Sequence, residues 1–131
     1  MTAKSGQLAV VSTPIGNLGD LSPRAAKAME RADILACEDT RITRKLLALS
    51  GRQTEARFMP YHDHNGRSIR PKILAALANG LNVVLVSDAG TPLVSDPGYK
   101  LVAAAHEMGF RVNAIPGPSA VLAGLACAGL P

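Results

Sequence analysis

Aromatic side chains are scarce in this chain. They make up 3% of its 131 residues, and tryptophan is absent. A core must therefore be built from Val, Leu, Ile and Ala, a composition that suits a buried parallel sheet covered by helices. Cysteine occurs only twice, as Cys37 and Cys127, each inside an apolar stretch. With no CxxC pair and no disulfide framework, both read as small buried hydrophobes of a protein kept in a reducing compartment, and a cytoplasmic location is expected. No apolar run approaches the ~18 residues of a membrane span. The opening residues MTAKSGQ lack the apolar segment of an export signal. Three loop signatures are missing as well: GxGxxG after the first strand, GxxxxGK[ST], and GxSxG. Their absence counts against a dinucleotide fingerprint, a P-loop and a hydrolase nucleophile elbow.

What is present is enough for one globular domain. Hydrophobic residues amount to 47% and charged residues to 18%, well away from the disordered regime. The formal charge of +4 comes from 14 Lys+Arg against 10 Asp+Glu. So small an excess points to a polyanionic partner only where the charges cluster.

Strand and helix signals alternate. Short apolar runs at Leu8–Ser12, Asp33–Cys37, Arg57–Tyr61, Asn82–Ser87 and Arg111–Ile115 read as strands, the third weakened by Pro60. Between them lie helical stretches. Ser22-Pro23 opens the first, which runs to about Ala32. Thr40 is the expected cap of the second, which runs to about Leu49 with Ile42, Leu46 and Leu49 on one face. The third spans Ser68–Asn79 with Ile73, Leu74 and Leu77 inward. Asp96-Pro97 opens the fourth, which runs to Met108, and Ser119 caps the last, Ala120–Ala128. Five βα units of this kind predict an α/β fold, a five-stranded parallel sheet flanked by helices.

Polar and breaker residues gather after the strands: Thr13 to Asn17, Glu38 to Thr40, His62 to Asn65, Asp88 to Asp96, and Gly117 with Ser119. In an open parallel sheet these loops share the edge at which ligands bind. The loop SDAGTPLVSDPG is the most distinctive. Gly90 lets backbone approach a ligand, so Gly90→Val is expected to block binding while leaving the fold largely intact. His62 and His64, two apart, would share one face of a strand, but no third ligand stands at metal-site spacing and no metal is expected. Glu38, Asp39, His62 and His64 are the candidate proton acceptors. Arg41, Arg44 and Lys45 form a basic helix face suited to phosphates, although a solvated face explains them about as well.

VSTPIGNLGDLSPRA, ACEDTRITRKLL, YHDHN, LVSDAGTPLVSDPGYKLV and IPGPSAVLAGLACAGLP occur in that order. Together they resemble the tetrapyrrole methylase family, and within it the 16S ribosomal RNA (cytidine-2'-O)-methyltransferases. The resemblance runs from about Leu8 to Pro131. It implies the N-terminal lobe of a two-lobed fold, with the C-terminal lobe absent from residues 1–131. It also implies S-adenosylmethionine (SAM) as methyl donor, a cytidine ribose in 16S rRNA of the small subunit as substrate, and a homodimer. Carried over by position, SAM contacts fall at Pro14, Ile15, Thr91, Val94, Ser119 and Ala120, with Asp88 and Gly90 as neighbours. A tetrapyrrole C-methyltransferase and a non-catalytic RNA-binding domain are the competing readings. The first is disfavoured by the low aromatic content and the basic second and third loops.

Overall fold

The computed structural model describes residues 6–92 and 98–129. Five strands are joined by helices in strict alternation: β1 (Gln7–Val11), α1 (Pro23–Arg31), β2 (Ile34–Cys37), α2 (Thr40–Leu49), β3 (Arg57–Pro60), α3 (Gly66–Ala78), β4 (Val83–Val86), α4 (Gly98–Glu107), β5 (Arg111–Ile115) and α5 (Ala120–Ala128). The strands form one sheet in the order β3-β2-β4-β1-β5. Every pairing is parallel.

The central strands are buried on both faces, which explains their unbroken apolar sequence. Side chains alternate between the faces with a period of two residues. Leu8, Ile34, Ala36, Val83 and Leu85 pack with Ile73 and Leu77 of α3 and Leu101 and Ala105 of α4. Leu35, Cys37, Val84 and Val86 pack with Ala25 and Met29 of α1 and Leu47 of α2. The molecule is thus three-layered, with α1 and α2 on one side of the sheet and α3 and α4 on the other. The core is mostly aliphatic, but its largest fully buried side chain is Tyr61.

Local signals account for most boundaries. Ser22 caps α1 by accepting from the Ala25 amide, with proline in the first turn. Ser119 caps α5 through the Leu122 amide. The expected cap of α2 was off by one residue. Asp39, not Thr40, holds the Arg41 amide, because Asp39 has the extended backbone of a cap residue while Thr40 already lies in the first turn. Helix α3 starts at Gly66, ahead of the expected Ser68, with Asn65 as its cap residue. The proposed opening of α4 at Asp96-Pro97 lies outside the described residues.

Two burial expectations fail. The inward residues of α2 are Thr43 and Leu47, while Ile42 and Leu49 are exposed. Thr43 faces the sheet, where its side chain meets Cys37. Helix α5, although apolar along its length, buries none of its residues. Cys127 on it is exposed, contrary to the reading as a buried hydrophobe.

Candidate functional site

The parallel sheet sends its polar loops to one edge. The loop after β1 leads to α1 on one face and the loop after β4 leads to α4 on the other, although the two strands are neighbours. Such divergence is the topological switch point at which open α/β sheets bind ligands.

At that point the two loops are stitched together. Thr13 and Gly90 form an isolated antiparallel bridge, with both backbone bonds at 2.9 Å. The loop after β5 joins them through Thr91, whose hydroxyl lies 2.8 Å from Ser12 Oγ and donates to the Pro118 carbonyl at 2.9 Å. Gly90 has φ +82°, and a Cβ there would stand 3.3 Å from Ile15 Cδ1. The left-handed backbone, more than the space around it, is therefore what favours glycine here, whatever the residue does for a ligand. Gly90→Val would strain the fold as well as the site, against the expectation that the fold would be spared.

The sequence-selected positions assemble unevenly. Pro14 is half-buried and Ile15 exposed beside Gly90. Thr91 is half-buried between the β1 and β5 loops, and Ser119 caps the adjoining α5, where Ala120 is exposed. Val94 lies outside the described residues. Asp88 turns toward β2, where its carboxylate accepts the Asp39 amide at 3.1 Å.

The loops after β2, β3 and β4 form a second, acidic portion of the same edge. The Glu38 carboxyl is pushed above its usual range, first by partial desolvation, then by the neighbouring charges of Asp88 and Asp63. A bond from the Asp88 amide and the proximity of His62 act the other way. Asp39 is held below its usual range by hydrogen bonds from the Arg41 side chain and amide. The Arg41 guanidinium grips both carboxylate oxygens, Nε to Oδ1 at 3.1 Å and NH2 to Oδ2 at 2.8 Å.

His62 and His64 do not share a strand face. Strand β3 ends at Pro60, and both fall in the turn before α3. Asn65, whose role the sequence did not reveal, holds this turn by accepting from the His62 amide and donating to the Pro60 carbonyl. The His64 amide donates to His62 Nδ1 at 3.3 Å, which leaves the proton of a neutral His62 on Nε2. Among the described residues no group of three or more His, Cys, Asp or Glu side chains is placed to hold a metal ion.

On α2, Arg41, Arg44 and Lys45 are all exposed. The Arg44 guanidinium lies 3.8 Å from the centre of the Phe58 ring on edge strand β3, a cation–π contact. Arg41 is engaged by Asp39 but remains open to solvent.

Fold and loop edge together define a doubly covered parallel α/β domain whose polar loops meet across its switch point. The chain belongs to the tetrapyrrole (corrin/porphyrin) methylase family, whose model matches residues 7–131. Curated relatives named ribosomal RNA small subunit methyltransferase I are close in sequence. The protein of Mesorhizobium japonicum is 56% identical over 95% of this chain and 42% of its own length. That of Xylella fastidiosa is 50% identical over 96% of this chain and 45% of its own length, and that of Escherichia coli O157:H7 is 49% identical over 96% and 43%. The chain thus spans less than half the length of these relatives. Among solved structures, the uroporphyrin-III-C-methyltransferase of Thermus thermophilus superposes with a TM-score of 0.66 at 24% identity, over 96% of this chain and 53% of that one. At that identity the likeness speaks to the fold. No helix among the described residues is long and apolar enough to cross a membrane.

Proposed function

We propose that this chain is the N-terminal lobe of a SAM-dependent methyltransferase that modifies the ribose 2'-oxygen of a cytidine in 16S rRNA of the small ribosomal subunit. The observation that carries the reading is the 49–56% identity, along 95–96% of this chain, to relatives named for small-subunit rRNA methylation. The reading extends to a second lobe beyond Pro131, a homodimer and a cytoplasmic location.

The residues at the β1, β4 and β5 loops suit one wall of a SAM site. Exposed Ile15 offers an apolar surface to an adenine. The Thr13–Gly90 bridge and Thr91 hold backbone beside it. The first turn of α5, at Ser119 and Ala120, presents amide groups and a favourable dipole to a carboxylate. Pro14, Asp88 and Val94 complete the set assigned to the cofactor. SAM supplies, when bound, a methyl group on a sulfonium that is already a good leaving group.

The chain's own task is then to position a ribose hydroxyl and take its proton. Among the candidates Glu38 is best suited to accept it. Its raised proton affinity moves it toward a working base, whereas Asp39 is neutralised by Arg41 and His62 already uses Nδ1 as an acceptor. His64 remains an exposed neighbour of the same edge. Arg41, Arg44 and Lys45, on the helix that follows Glu38, are placed to meet RNA phosphates. A flexible loop or single-stranded segment presents a 2'-hydroxyl to such an edge more readily than a regular duplex.

The test is methyl transfer from labelled SAM to unmodified small ribosomal subunits by the full-length protein, with the product located by nuclease digestion. Label on a cytidine 2'-oxygen is the expected result. Label on a base, on a tetrapyrrole offered in competition, or on nothing would reject the reading.

A further inference from the structure

A hydroxyl has a single proton to donate, and that rule orders the hydrogen bonds where three loops meet. Thr91 Oγ1 donates to the Pro118 carbonyl at 2.9 Å, an oxygen that can only accept. The 2.8 Å contact between Thr91 Oγ1 and Ser12 Oγ is then a bond in which Ser12 donates, because the Thr91 proton is already used. The direction is therefore Ser12 to Thr91 to Pro118, linking the ends of β1, β4 and β5. Ser12 is buried, at 3% exposure. Gly117 makes the approach possible, since a Cβ there would stand 2.8 Å from Ser12 Cβ. The Thr13–Gly90 bridge lies next to the relay in the chain on both sides.

We propose that Ser12 and Thr91 are positioning residues: a directional hydroxyl clamp that fixes the β1, β4 and β5 loops relative to one another, through which Thr91 shapes the SAM wall without donating to the ligand. The inference rests on the reading of this edge as a SAM site, and it gives a role to Ser12, which that reading leaves unassigned. Ser12→Ala deprives Thr91 of its donor. Thr91→Val leaves the Ser12 hydroxyl and the Pro118 carbonyl without each other's intermediary. Thr91→Ser keeps the relay intact.

The experiment uses the full-length protein carrying S12A, T91V, T91S and the S12A/T91V pair. Amide exchange at Thr13 and Gly90 is measured without ligand, and SAM affinity by calorimetry. Exchange in S12A and T91V is expected to rise roughly fivefold or more, on the scale of one lost hydrogen bond, with T91S within about twofold of the parent. SAM affinity should fall in both single variants, and the double variant should be no weaker than T91V, since both substitutions break one device. If T91V loses affinity while S12A changes neither affinity nor exchange, the Thr91 hydroxyl meets the ligand directly and the clamp is rejected. T91S behaving as T91V rejects it too. A parent protein that does not bind SAM overturns the cofactor assignment, and the exchange rates then decide the clamp by themselves.

Discussion

Glu38 and Asp39 are adjacent in sequence and opposite in proton affinity, because one is partly desolvated among like charges and the other lies under a guanidinium. The raised Glu38 group has a thermodynamic signature. Between its ordinary value of 4.5 and its higher folded value, the folded state holds more protons than the unfolded one. The stability supplied by neutral Glu38 is therefore present below that window and lost as pH rises through it. Glu38→Gln should make the protein more stable than the parent at pH 7, by no more than about 0.5 kcal/mol given solvent screening. The two should become equal near pH 4, as read from urea denaturation at each pH. A difference that grows toward low pH would contradict the assigned environment. The cysteines allow a second test at this scale. Burial pushes the Cys37 thiol up to about 11, while Cys127 is exposed. Alkylation of the native protein, followed by mass spectrometry, should label Cys127 and spare Cys37 until denaturant is added. At Gly90 the left-handed backbone and the nearby Ile15 side chain predict that Gly90→Ala lowers stability by about 1–2 kcal/mol, measurable in the same urea titration.

Helix α2 combines two tasks along its length. Its inward face, Thr43 and Leu47, closes the core, and its outward face carries Arg41, Arg44 and Lys45. Two of these three side chains have intramolecular partners that orient them: Asp39 holds Arg41, and the Phe58 ring lies beneath Arg44. Oriented cations lose less entropy on meeting a phosphate than free ones. Replacing all three with Ala should weaken RNA binding by the full-length protein and reduce the slope of log affinity against log salt, by up to roughly 0.7 per phosphate contact for single strands. Filter binding over a series of salt concentrations checks this, and an unaltered slope would make the face plain solvated surface. Helix α5 is the other exceptional element. Val121, Leu122 and Leu125 are 55%, 67% and 53% exposed, an arrangement that a helix with no polar face does not adopt when it has a packing partner.

On the proposed reading, the molecule as a whole offers one wall of a cleft. Ile15, Thr91, Ser119 and Ala120 border it from one side, and a ligand held there keeps much of its surface in water. The 131-residue chain alone should therefore fold but bind SAM weakly or undetectably and transfer no methyl group. Supplying the proposed second lobe should restore both, by calorimetry and by labelled-methyl incorporation. Sedimentation should also show the isolated chain self-associating through apolar surface at α5. Turnover by residues 1–131 alone would refute the two-wall arrangement.

The alternation of short aliphatic runs with capped helices was enough to specify a parallel α/β sheet, because strands buried on both faces leave a composition that no half-exposed strand shares. The runs NVVLVS and LAVVS, and the caps Ser22 and Ser119, could be read directly, since each acts within a few residues of itself. The polar loops could be assigned to one edge for the same reason: parallel connectivity leaves no other place for them. Contacts between distant segments could not be read. Strand order, the bridge between Thr13 and Gly90, and the need for glycine at 117 depend on which loops the sheet makes neighbours. So does the choice of Thr43 over Ile42 as the inward residue of α2, which follows from how the helix lies on the sheet. The different fates of Cys37 and Cys127 were equally hidden, because an apolar neighbourhood in sequence signals burial only where another element arrives to cover it. The tertiary structure alone decided these matters, since each depends on a contact with another element that local propensity does not register.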